Sequence, residues 1–143
     1  MKKTYKILAA VLAASAVFSF SGQAQLSGVY TINSASATAG TNFQSFTALA
    51  NALNTSGISG PVTVNVAANS GPYVEQITFN QITGASASNS ITINGNANTL
   101  TFGATLSTAP HTMLLNGTDY LTVNNLTVTG TGGTYALTVH LWN

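Results

Sequence analysis

From Leu121 to Val128 the chain reads Leu-Thr-Val, Asn-Asn, Leu-Thr-Val, so apolar residues alternate with Thr on either side of an Asn pair. A period of two is that of a half-buried strand. Asn enters the left-handed region at low cost, which suits it to a sharp corner. The stretch therefore predicts two short strands joined at Asn124-Asn125. Two earlier stretches match it: Ile77-Thr78-Phe79, Asn80-Gln81, Ile82-Thr83, and Leu100-Thr101-Phe102, Gly103-Ala104, Thr105-Leu106. Thr105 is a misfit, standing where Ile82 and Leu126 stand in the other copies. The corners at Asn80, Gly103 and Asn124 fall at nearly even intervals, which marks a repeat.

A further set of strands is predicted at Val62–Val66, Ile91–Asn94, Met113–Asn116 and Leu137–His140. Their centres at Val64, Ile93, Leu115 and Val139 keep a comparable interval, longest at the first step. Three short strands in roughly 22 residues predict an all-β, three-sided parallel β-helix, a solenoid with coils over residues 61–143. Residues 25–60 form a lead-in, with a short edge strand at Val29–Ile32, and an N-terminal capping helix. That helix is predicted over Ser45–Asn54, because Phe46, Leu49, Ala50 and Leu53 make one apolar stripe. Ser45 suits its N-cap and Gly57 its stop. Its expected role is to cover the apolar end of the first coil. At the other end Leu141-Trp142-Asn143 falls in or just after a strand with no polar cap following. The expectation is an N-terminal piece of a longer protein, with the downstream remainder of the polypeptide as its first partner.

Residues 1–24 change the charge picture. Lys2, Lys3 and Lys6 precede an apolar run from Ile7 to Phe20 and a small-residue site at Gly22-Gln23-Ala24, the layout of a secretory signal peptide. Every basic residue lies there, so the formal charge of +1 belongs to the segment that would be removed. Residues 25–143 keep only Glu75 and Asp119 as charged side chains. Binding of nucleic acid through a basic footprint is excluded on that ground. No membrane span is expected once the signal is cleaved. The chain has no Cys, which excludes disulfides and lipoprotein anchoring through a Cys at the cleavage site.

The run from Phe43-Gln44-Ser45-Phe46 through Ala52-Leu53-Asn54 to Gly60-Pro61-Val62-Thr63-Val64-Asn65-Val66 resembles the start of large secreted proteins of Bacteroidetes-type bacteria. Gly71-Pro72-Tyr73-Val74-Glu75-Gln76-Ile77 and Gly84-Ala85-Ser86-Ala87-Ser88-Asn89-Ser90-Ile91 extend the likeness over nearly all of residues 25–143. Those proteins carry right-handed, pectate-lyase-like β-helices and usually end in a sorting domain for type IX secretion. The resemblance implies a right-handed helix and a secreted or outer-surface location. It says little about activity, since this fold hosts enzymes, adhesins and stalks. Gly71 to Gln76 also resembles a coil of pectin methylesterases, in which that segment is structural. The paired catalytic Asp residues and Arg of that family have no counterpart here.

Candidate chemistry is sparse. Glu75 is expected to accept backbone hydrogen bonds from the long turn Ala67–Gln76. Glycoside hydrolysis uses two carboxylates about 5–10 Å apart, and turn chemistry accounts for both Glu75 and Asp119. His111 falls in an Ala-Pro-His loop and His140 on an outward strand position; two His without a third ligand are a weak zinc signal. No catalytic residue, cofactor or metal site is therefore assigned. The first-strand face offers two polar columns, with outward positions Thr63 and Asn65, Thr92 and Asn94, Leu114 and Asn116, Thr138 and His140. Of these Thr63, Asn65, Thr92, Asn94, Asn116, Thr138 and His140 form a candidate glycan-contact face. Thr and Asn also stack well as uncharged fillers of parallel, in-register strands.

Three functions fit. The first is a secreted or cell-surface module with a structural or adhesive role, contacting polysaccharide or cell-surface glycans. The second is part of a carbohydrate-active enzyme, a polysaccharide lyase or esterase, whose catalytic residues lie beyond this stretch. The third is ice binding, for which Thr78, Thr101 and Thr122 would supply a Thr column.

Overall fold

The computed structural model describes residues 24–142. Except for Ala24, the expected signal peptide lies outside the described residues. The fold is mostly β, with parallel sheets and one short helix among the described residues. The strands are β1 (Leu26–Ile32), β2 (Asn42–Phe43), β3 (Ile58–Val66), β4 (Tyr73–Val74), β5 (Ile77–Asn80), β6 (Ile91–Phe102), β7 (His111–Asn116), β8 (Leu121–Gly130) and β9 (Leu137–Trp142). The helix α1 (Phe46–Ser56) lies between β2 and β3. One sheet runs β2-β1-β3-β6-β4 with β8 also on β6; the other runs β5-β7-β9. Neither sheet closes on itself.

Stacking is in register. In the larger sheet Val62, Ile91 and Leu121 are partners, related by two nearly equal steps. Val64, Ile93 and Val123 follow on the inward side. In the smaller sheet Ile77, Met113 and Val139 are partners. The inward residues and the helix stripe form one core, which includes Ile32, Val64, Tyr73, Phe79, Ile93 and Leu100.

This register corrects the expected coil. Met113–Asn116 does not stack on Ile91–Asn94, the predicted strand before it; it pairs with Ile77–Asn80. Ile91–Asn94 instead pairs with Leu121–Asn124. The stretch Leu121–Val128 is thus the counterpart of Ile91–Leu100, not of Ile77–Thr83 or Leu100–Leu106. The expected strands at Ile82-Thr83 and Thr105-Leu106 are loops, and Leu106 is exposed. Alternation of apolar residues with Thr is the same in both sheets, so it does not say which strand lies on which.

β6 and β8 each bend once. In β8 the bend falls between Asn124, partner of Asn94, and Leu126, partner of Asn98. Asn125 carries the positive φ of 48°, one residue after the expected position. In β6 the bend is Gly95-Asn96-Ala97, with φ of 51° at Asn96 and 59° at Ala97. Gly95 is demanded by closeness: a Cβ there would lie 2.5 Å from Leu126 Cβ and 2.6 Å from the Asn125 carbonyl oxygen. The buried Asn98 side chain fills the same corner. It donates to the Ala67 and Gly95 carbonyls, each at 2.9 Å, and accepts from the Gly71 N–H at 2.9 Å.

The helix forms where its periodicity and caps predict. Ser45 Oγ accepts from the Ala48 N–H at 3.0 Å, and Phe46, Leu49, Ala50 and Leu53 are its buried residues. Gly57, at φ 68°, ends it and donates to the Leu53 carbonyl. The helix packs against β5, the edge of the smaller sheet. There Asn54 acts as a surrogate strand, donating to the Thr78 carbonyl at 2.8 Å and accepting from the Asn80 N–H at 3.0 Å. A side-chain amide carries the same donor and acceptor as a peptide group, so two edge groups that would otherwise need water are satisfied.

The bend at Asn125 is testable by substitution. Gly enters the left-handed region freely, whereas a β-branched side chain is penalised there by about 1–2 kcal/mol. Asn125→Gly should leave the urea midpoint nearly unchanged, and Asn125→Val should lower it, with equal m-values. A Val variant as stable as the parent would contradict a left-handed corner at this residue.

Candidate functional site

The seven residues of the expected glycan-contact face fall on two sheets. Thr63, Asn65, Thr92 and Asn94 stay together on the larger sheet, where Thr63 partners Thr92 and Asn65 partners Asn94. Thr122 and Asn124 complete these columns, not Leu114, Asn116, Thr138 and His140. Thr31 precedes Asn65 in register, and its Oγ1 donates to Asn42 Oδ1 at 2.8 Å. Asn116, Thr138 and His140 lie on β7 and β9 of the smaller sheet. The Thr column suited to ice does not form: Thr78 partners Leu114, Thr101 partners Val74 and Thr129, and Thr122 partners Thr92.

On the larger sheet the Asn side chains bond to one another. Asn94 Nδ2 donates to Asn65 Oδ1 at 2.9 Å, and Asn124 Nδ2 donates to Asn94 Oδ1 at 3.2 Å. Each amide has two donors and two acceptor lone pairs, so a ladder position uses one of each along the column. An open groove of about 470 Å³ follows this column, lined by Asn65, Val66, Asn94, Asn96, Asn124 and Asn125. Its polar groups are uncharged amides, which can exchange hydrogen bonds with hydroxyls but cannot serve as general acid or base at neutral pH. On the smaller sheet Asn116 Nδ2 makes the corresponding bond to Asn80 Oδ1 at 2.9 Å.

Glu75 accepts backbone hydrogen bonds, as expected, but from a different element. Its Oε1 accepts from the Phe46 N–H at 3.3 Å; its Oε2 accepts from the Thr47 N–H at 2.7 Å and the Thr47 hydroxyl at 2.6 Å. These are donors of the first turn of α1, where a carboxylate is favoured by both unsatisfied N–H groups and the helix dipole. The half-buried carboxylate is therefore held in a helix cap.

The two His residues, far apart in sequence, are neighbours in space. His111 opens β7, and His140 lies on β9, the strand paired with it. Their ring centroids are 6.0 Å apart, and His140 stands edge-on to Trp142 at 5.6 Å. His111 is buried, and its Nδ1 has no hydrogen-bond partner among the described residues. Burial, and then the neighbouring His140, hold the His111 imidazole below its ordinary pKa. Their separation in the sequence gives no cue, because in the register of β7 and β9 His111 stands opposite Leu137 and His140 opposite Leu114.

Among the described residues no group of three or more His, Cys, Asp or Glu is placed to hold a metal ion. No helix among them is long and apolar enough to cross a membrane. No protein-family model, curated protein or solved structure matches the chain.

The role of Glu75 can be measured directly. Losing the charge while keeping the shape removes three charge-assisted bonds from a half-buried cap, an effect on the order of 1–2 kcal/mol. Glu75→Gln should lower the urea midpoint accordingly. An unchanged midpoint at equal m-value would show that the cap carries no stability.

Proposed function

We propose that this chain is an exported, non-enzymatic module with a structural or adhesive role. It is built as a right-handed parallel β-helix and contacts glycans through its Asn and Thr columns. The helix reading is supported by three sets of parallel, in-register pairings: β1-β3-β6-β8, β4-β6-β8 through the second arms of β6 and β8, and β5-β7-β9. The bends in β6 and β8 then become corners between two faces, and the smaller sheet becomes the third. Export is supported by the basic, apolar and small-residue order of residues 1–24. The resemblance to Bacteroidetes-type secreted proteins agrees with both.

One observation carries the ligand class: the amide-linked column Asn65–Asn94–Asn124, beside the Thr column and along an open groove. Its groups match the hydroxyls of a neutral sugar chain. They offer no counter-charge to a strongly ionic ligand. The cap role of Glu75 supports the non-enzymatic reading, because that carboxylate is committed to α1.

Electrophoresis through gels containing neutral or acidic polysaccharides tests the proposal. The protein should be retarded by at least one neutral glycan. Replacing Asn94 and Asn124 together by Ala should remove the retardation while circular dichroism stays unchanged. Equal mobility in every gel, or retardation indifferent to the double substitution, would contradict it. Glycan cleavage lost on Asp119→Asn would contradict the non-enzymatic reading.

A further inference from the structure

His111 and His140 sit on adjacent parallel strands of the smaller sheet, away from the Asn groove, and neither takes part in the role proposed above. Their geometry sets them apart from ordinary surface histidines. The ring centroids are only 6.0 Å apart. His111 is only 6% exposed, and its Nδ1 is a buried polar atom with no partner among the described residues. Such an atom is destabilising when nothing satisfies it. An ion shared with His140 would satisfy it without breaking any bond that Nδ1 already makes.

We infer that His111 and His140 form a two-imidazole site for a divalent first-row transition ion of the zinc or copper type. Imidazole nitrogen suits these ions. With metal–nitrogen bonds of about 2.0–2.1 Å and a ring radius of roughly 1.1 Å, imidazoles sharing one ion have centroids no more than about 6.4 Å apart. The observed 6.0 Å lies inside that limit. Closing to a tetrahedral angle takes roughly 0.8 Å more, within the reach of side-chain rotation at His140, which is half-buried. One ring nitrogen from each residue binds the ion, and water completes its coordination. The site links β7 to β9, so occupancy staples the last strand of the sheet to its neighbour.

The chain supplies its own reporters, since it contains two His and one Trp in all. Trp142 lies 5.6 Å from the His140 ring, close enough for bound Cu²⁺ to quench its fluorescence. Tag-free full-length protein should show saturable, one-to-one quenching by Cu²⁺ and reversal by EDTA. His140→Ala should weaken binding at least tenfold. Zn²⁺ should shift the imidazole proton resonances of both His residues together in the unsubstituted protein, a measurement that does not depend on how any variant folds. Zn²⁺ moving neither resonance or only one, or Cu²⁺ quenching that His140→Ala leaves unchanged, would overturn the inference.

Discussion

Parallel strands stacked in register place each side chain directly above its counterpart, so every column must be made of residues that tolerate their own likeness. That constraint orders this chain. Inward columns are aliphatic, as in Val64, Ile93 and Val123. Across β3, β6 and β8 the outward columns are Thr over Thr and Asn over Asn, and the Asn amides turn repetition into attraction by bonding along the column. A column of one charge would repel at every step. The described residues accordingly carry only two acidic side chains, Glu75 before β5 and Asp119 before β8, both outside the strands. The neutral surface that results is the ground on which a hydroxyl-rich ligand is proposed for the groove.

Stacking also creates edges, and α1 handles one of them. Its apolar stripe closes the core beside β5, while Asn54 satisfies two edge groups of that strand. Glu75 fixes the other end of the helix by gathering its first-turn donors. Phe46, the first residue of α1, meets Tyr73 of β4 edge-on at 5.0 Å, so the same turn is held by packing and by charge. Helix and strands are thus joined at both ends of α1, and its local signals agree with its tertiary role.

What can be read in the sequence follows from which signals are local. The helix is fully legible, because Ser45, Gly57 and the stripe through Phe46, Leu49, Ala50 and Leu53 lie within one short window. Most strand positions are legible for the same reason, although the alternation at Ile82-Thr83 and Thr105-Leu106 falls in loops. The pairing of strands is not, because apolar–Thr alternation looks alike in both sheets. A closer marker is the tetrad aliphatic-Thr-apolar-Asn, which occurs at Val62, Ile77, Ile91 and Leu121. Three of these tetrads stack in the larger sheet, and the fourth stands in the smaller one. Thr63, Asn65, Thr92 and Asn94 stay together because Val62 and Ile91, a long step apart, are register partners on adjacent strands. Asn116, Thr138 and His140 separate from them because the next true step runs to Leu121, past the look-alike strand at Met113. The proximity of His111 and His140 is hidden as well, since it depends on β7 pairing with β9, where His111 stands opposite Leu137 and His140 opposite Leu114.

The columns, the groove and the His pair therefore all rest on the register, and the absence of native Cys makes it directly measurable. Adjacent strands lie about 4.7–4.9 Å apart, within the Cα separation of about 4.4–6.8 Å that a disulfide accepts. Two proteins should be oxidised under the same mild conditions, one carrying Thr92→Cys with Thr122→Cys, the other Thr92→Cys with Leu114→Cys. A rapid intramolecular disulfide is predicted in the first, where the two positions are partners. None is predicted in the second, because Leu114 stands opposite Thr78. Cross-linking of the second pair and not the first would restore the shorter coil and contradict the fold described here.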